Sequence, residues 1–218
     1  NPYHRIEKTV ATYCEQLSEL IKSDLKLPAD PPTHSSVFTP SGVSLEKAKM
    51  DEYLSRFHAL ADKYSRAADL SACLRLLCPV WAEAFINFVI FALSNEEIKK
   101  DERLYQDYLR RDIDVRVKLL HVNCTGFVKP IDASDQLFKN FHSLMNDRND
   151  LLHGNIDPDK LGYETVFFDG VIPLFTEPQG LARNSVGVSL KGIEPEETLE
   201  RVETVRNFID YIKNLHRP

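Results

Sequence analysis

Cysteine is scarce, with four in 218 residues: Cys14, Cys73, Cys78 and Cys124. That is too few for a disulfide framework, no two form a C-x-x-C pair, and no histidine stands at zinc-finger spacing from them. They read as reduced, buried thiols, which suits a cytoplasmic location. A cationic excess is also missing: 27 Lys and Arg face 33 Asp and Glu, for a formal net charge of -6. Phosphate binding draws on surplus Lys and Arg, so the balance argues against strong non-specific adhesion to nucleic acid or anionic membrane, while a small local patch is not excluded. The segment from Asn1 to Thr9 is polar and charged, unlike a signal peptide. The most apolar stretch, Cys78 to Leu93, contains Pro79, Glu83 and Asn87 and is too short to span a bilayer, so no membrane association is expected. A Gly-rich phosphate loop, a G-x-S-x-G and an H-E-x-x-H are all absent. No metal site, cofactor, internal repeat or low-complexity tract is expected.

What is present is ordinary globular material, 43% hydrophobic and 28% charged. The length suits one large domain, or one domain with an extra piece, able to bury roughly 70% of its unfolded surface. Apolar residues recur at helical spacing from Tyr3 to Leu27, through Ile6, Val10, Leu17, Leu20 and Ile21. A Pro-, Ser- and Thr-rich stretch from Pro28 to Gly42 then reads as a linker. This divides the chain into an N-terminal helical arm with its linker, residues 1–43, and a helical domain, residues 44–218. Ser44 is the expected N-cap of a helix reaching about Ala68. Leu70 to Leu93 reads as a central buried helix, kinked or split by Pro79. Ser94 and Glu97 have capping-box spacing for a charged helix through about Arg111. Another helix follows from Asp112 to Val122, ended by Asn123 to Gly126. A strong helix runs from Ser134 or Asp135 to His153, with Gly154 as its C-terminal cap. The apolar runs on either side of Asp169-Gly170 give the best hairpin signal, an insertion at about 163–176, with Pro173 marking an edge strand. Glu194 opens a last helix carrying Leu199, Val202, Val205, Ile209, Ile212 and Leu215. The fold class expected is mainly α with one small hairpin.

One residue breaks the apolar pattern. At about 100° per residue, Leu137, Phe138, Phe141, Leu144, Met145, Leu151 and Leu152 share one arc, and Arg148 falls near its middle. A guanidinium in a buried stripe is costly without a counter-charge. Either a carboxylate meets it, or its head snorkels to water, or that part of the stripe faces a cleft or a second subunit. Glu83 and Asn87, four apart on an otherwise apolar helix, are the candidate partners: each polar group is expensive alone, and together they satisfy one another.

Arg148-Asn-Asp-Leu-Leu-His153, followed by Gly154, resembles the Arg-Asn-x-x-x-His motif of HEPN domains. The apolar helix bearing Glu83-Ala-Phe-Ile-Asn87 is similar to the earlier core helix of such domains, and the resemblance covers about residues 45–216. It implies a helical bundle that dimerises, with Arg and His from both subunits lining a cleft, and a metal-independent endoribonuclease of the toxin, defence or RNA-processing kind. An antitoxin or other regulatory protein is then an expected partner. Other members have lost activity and bind nucleotides or proteins, which is the alternative reading. Carried over, Arg148 and His153 are catalytic and Asn149 positions them or the substrate. The N-terminal arm and the hairpin depart from the family pattern.

The residue types suit that chemistry. RNA carries its own nucleophile, the 2′-hydroxyl, so cleavage needs proton transfer and charge stabilisation. Histidine transfers protons near neutral pH, and arginine holds the non-bridging phosphate oxygens in a bidentate fork. His153, in the last helical turn, meets the negative end of the helix dipole, which favours its protonated form and the role of leaving-group acid or phosphate clamp. The remaining histidines, His142 among them, read as surface or packing residues. Between Lys99 and Lys118 basic and acidic residues nearly cancel, so a solvated face with ion pairs is expected there. Arg110 and Arg111 are the members of that stretch retained as candidate contacts to a phosphate backbone. Trp81, Phe85, Phe88 and Phe91 are expected in the core or at a dimer interface.

Overall fold

The structure, a computed structural model, describes residues 1–23, 42–127, 129–153, 167–169, 172–174 and 195–216; residues 42–48, 149–153 and the two strands are described by their backbone alone. The Pro-rich linker, Gly154 and the hairpin turn lie outside the described residues. The chain is mainly helical. Its elements are α1 (Pro2–Lys22), α2 (Gly42–Leu93), α3 (Glu96–Lys100), α4 (Glu102–Arg110), α5 (Ile113–Lys118), α6 (Leu120–Asn123), α7 (Gln136–His153), β1 (Phe167–Asp169), β2 (Ile172–Leu174) and α8 (Pro195–Leu215). The two strands pair antiparallel, with Phe168 opposite Pro173.

Local chemistry explains most of the boundaries. Pro2 occupies the first position of α1, where its missing N–H would have no partner in any case, and the Asn1 side chain accepts from the Tyr3 N–H at 3.0 Å. Asp135 does the same for Leu137 at 2.8 Å, at the start of α7. Several expectations are corrected. The two helices read on either side of Ala68 are one helix of 52 residues, continuous through Pro79. Nothing between Arg66 and Ala72 breaks a helix, since that stretch has neither Gly nor Pro, and flanking turns hold Pro79 in place although it removes one backbone hydrogen bond. That helix starts at Gly42, two residues before the expected cap Ser44. The apolar run read as too short to span a bilayer is part of a longer stretch, Lys49–Leu93, that is long and apolar enough to cross a membrane by length and composition alone; 44% of its most apolar window is buried within the protein.

The charged helix expected from Ser94 to Arg111 is two helices, broken at Asp101. Asp101 is extended, and its carboxylate accepts from the N–H groups of Arg103 and Leu104, capping α4. Ser94 is not a cap: its hydroxyl bonds back to the Ile90 carbonyl at 2.6 Å. The helix read from Asp112 to Val122 is α5 and α6, joined at Leu119.

The chain forms two compact units, one of residues 1–14, 73–156 and 196–218, the other of residues 15–72 and 157–195. In the second, Leu17, Ala67 and Leu70 are buried, and Arg66 donates to Gln16 at 3.4 Å. The first holds the larger core: Leu74, Cys78, Trp81, Phe85, Ile86 and Ile90 of α2 with the inner faces of α7 and α8. Phe141 of α7 stacks on Phe208 of α8 with ring centres 3.9 Å apart, a pairing that locks the two helices side by side. Arg201 of α8 adds ion pairs to Asp147 at 2.7 Å and Glu197 at 2.9 Å. Trp81 and Phe85 are in the core, while Phe88 and Phe91 are exposed. One face of the α2 segment is therefore buried, rather than its whole circumference.

Candidate functional site

The site begins with the arginine on the apolar arc. Phe138, Phe141, Leu144 and Met145 are buried along α7, and Arg148 follows on the same arc with its side chain 28% exposed. Its Nη1 donates to Glu83 Oε2 at 3.1 Å, so the carboxylate on α2 meets it as expected. The snorkelling alternative is set aside, because the head is ion-paired against the protein.

A second arginine shares that carboxylate. Arg116 of α5 has a side chain only 7% exposed; its Nη2 lies 2.5 Å from Glu83 Oε1, and its Nη1 donates to Asn87 Oδ1 at 2.5 Å. Asn87 thus serves Arg116, not Arg148. Two guanidinium groups on one carboxylate leave the trio with a positive charge, and the buried Arg116 Nε has no hydrogen-bond partner among the described residues. Placing Arg116 on a solvated face is corrected here. The signal was available: Arg116 lies three residues after Ile113 and four before Leu120, inside an apolar arc, as Arg148 does. The rest of the stretch does form exposed ion pairs, Lys100 with Glu96, Arg111 with Asp107 and Lys118 with Asp114.

Beside the trio opens a cleft of about 480 Å³. Arg110, the last residue of α4, and Arg111 line it, together with Asp112 and Asp114. From α7 come His142, Met145, Asn146 and Arg148. Four arginines against three carboxylates surround this space, in a protein whose net charge is -6. Arg110 has no ion pair among the described residues. Partial burial raises the Asp114 carboxyl, but the Lys118 ammonium and, more weakly, His142 outweigh it and hold Asp114 below the usual carboxylate range.

Of the residues singled out in the sequence, the cleft gathers Arg148, Glu83, Arg110 and Arg111. Asn87 stands behind it, bonded to Arg116. Asn149 and His153 lie on α7 just beyond Arg148, and their side chains are outside what the structure describes. Sequence reasoning missed Arg116 and His142. The second had no local signal, because only the packing of α5 on α7 brings it to the cleft. Among the described residues no group of three or more His, Cys, Asp or Glu is placed to hold a metal ion. Chemically the arrangement offers the Arg148 guanidinium, further arginines and an imidazole around a space open to solvent, beside the carboxylates of Glu83, Asp112 and Asp114; arginine forks are donors of the type that suits phosphate.

No protein-family model, curated protein or solved structure matches this chain. The likeness to HEPN domains therefore rests on the Arg148-to-His153 motif and on the residues around it.

Proposed function

We propose that the chain is an endoribonuclease of the HEPN type, a helical bundle with the hairpin as an insertion, cleaving RNA by attack of the 2′-hydroxyl on the adjacent phosphorus. The observation that carries this reading is Arg148, ion-paired to Glu83 at the edge of a cleft that Arg110 and Arg111 also line. Arg148 would hold the non-bridging oxygens as charge builds on them, with Glu83 fixing the plane of its fork. Arg110 and Arg111 would take neighbouring phosphates of the strand. His153 would protonate the leaving oxygen or clamp the phosphate, and Asn149 would help to position it.

The working form in this proposal is a homodimer. Leu76, Val80, Glu83, Asn87 and Phe91 share one side of α2 at about 100° per residue, and the apolar members of that set are exposed, Phe91 by 68%. A second copy seated there would border the cleft.

The overall acidity of the chain, a net charge of -6, favours a second reading, a catalytically silent module that binds a nucleotide or a partner protein. One experiment separates the two. A mixed RNA pool is incubated in excess chelator with wild-type protein and with His153→Ala, both purified identically and checked for folding. The nuclease reading expects cleavage by the wild type that His153→Ala loses. Equal cleavage by both assigns the activity elsewhere, and nucleotide binding without any cleavage supports the silent module.

A further inference from the structure

Arg148 does not hold Glu83 alone, and the other claimant on that carboxylate is the more firmly fixed. Arg116 stands on α5, with Val117 beside it and Leu120 one turn on, both fully buried. The hydroxyl of Tyr108, buried on α4, donates to the Arg116 carbonyl at 2.9 Å and ties α5 to α4 at that residue. The Arg116 fork donates through Nη2 to Glu83 Oε1 and through Nη1 to Asn87 Oδ1, both at 2.5 Å. Asn87 lies one turn after Glu83 on α2, so the fork spans two neighbouring acceptors of one helix face, which sets its plane. Arg148 takes the opposite oxygen, Oε2, at 3.1 Å. The carboxylate is thus clamped on one side by a group 7% exposed and met on the other by a group 28% exposed. Glu83 cannot turn away from Arg148 without breaking with Arg116. Its one negative charge is also divided between two guanidinium groups, and both of them line the cleft. A single arginine on a single carboxylate would be neutralised; here one positive charge is left over to meet an anion.

We infer that Arg116 is a positioning residue for Arg148: it holds Glu83 in place and shares its charge, so that Arg148 meets a phosphate in a fixed orientation and as a cation. The inference rests on the ribonuclease reading. To test it, kcat and KM on one RNA are measured for wild type, Arg148→Ala, Arg116→Met, Arg116→Lys and Asn87→Asp. Arg116→Met and Asn87→Asp are also each combined with Arg148→Ala, and a urea curve gives the folded fraction of every sample. Arg116→Met is expected to lose about 100-fold in kcat per folded molecule. KM should change little, the pattern of an interaction made in the transition state. Arg116→Lys, which keeps a cation on Glu83, should recover part of the loss. Asn87→Asp separates this role from packing alone. Its carboxylate gives the buried guanidinium a second counter-charge, so the urea midpoint should hold or rise, while the spare positive charge is cancelled and kcat falls about 10-fold. Neither substitution should slow cleavage further once Arg148 is replaced, because Arg116 acts through it. Asn87→Asp that cuts as fast as wild type, or losses as large without Arg148 as with it, overturn the role of Arg116 and leave the ribonuclease reading standing. RNA left intact by the wild type removes both.

Discussion

A charge buried in an apolar face needs an explanation, and at the scale of single residues two arginines have the same one. Arg148 and Arg116 both meet Glu83, but they meet it differently: Arg116 is nearly enclosed and Arg148 keeps one side open to the cleft. Removing one partner of a buried pair costs about 3–5 kcal/mol, whereas a partly exposed pair is worth about 1 kcal/mol or less. Arg116→Ala should therefore destabilise the protein by about 3 kcal/mol or more. Arg148→Ala should cost about 1 kcal/mol, because Glu83 keeps Arg116. Urea unfolding of the two variants checks this, and equal midpoints would place both arginines in the same environment. Arg148 and Glu83 were legible in the sequence because a lone charge in an apolar arc advertises its need for a partner. Arg116 passed unnoticed because a tally of charges over Lys99 to Lys118 hides which face each one occupies. His142 carried no local signal at all, its place being set by the packing of two helices distant in sequence.

At the scale of elements, the helical character followed from periodicity and the start of α7 from its capping residue Asp135. The breaks did not. Asp101 ends one helix and caps the next through a side-chain competition that a charge pattern does not reveal, and Pro79 is carried inside a helix whose other turns outweigh its missing bond. The continuity of α2 matters for function because the same helix carries Glu83 to the cleft and sets Leu76, Val80 and Phe91 in solvent beside it. If that face joins two copies, Phe91→Lys should convert a dimer to a monomer in sedimentation without moving the unfolding midpoint of the monomer. A wild type that sediments as a monomer at all concentrations would remove the dimer from the account.

For the molecule as a whole, the first unit's core encloses groups that resist ionisation. Burial pushes the Cys78 thiol from 9.0 up to about 12 and the Cys124 thiol from 9.0 up to about 11, and it raises the Tyr108 phenol as well. A group whose folded pKa lies above its unfolded one contributes stability in full below the unfolded value and loses it as pH rises towards the folded one. Unfolding midpoints should thus hold steady from pH 7 to about 9 and fall between about 9 and 12. A midpoint that climbs over that range would contradict the burial of these thiols. Acidity of the whole chain and cationic character of one cleft are compatible, since screening confines each charge to its surroundings.

Arg148 stands at the centre of the functional account, and it is the residue whose loss should separate activity from folding. The most direct measurement is single-turnover cleavage of an end-labelled RNA in excess chelator by wild type and Arg148→Ala, with the urea midpoint of each recorded on the same samples. The account predicts cleavage by the wild type to cyclic-phosphate and 5′-hydroxyl ends, and a loss of about 100-fold or more in Arg148→Ala at nearly unchanged stability. Equal cleavage by both proteins, or intact RNA with both, would contradict it.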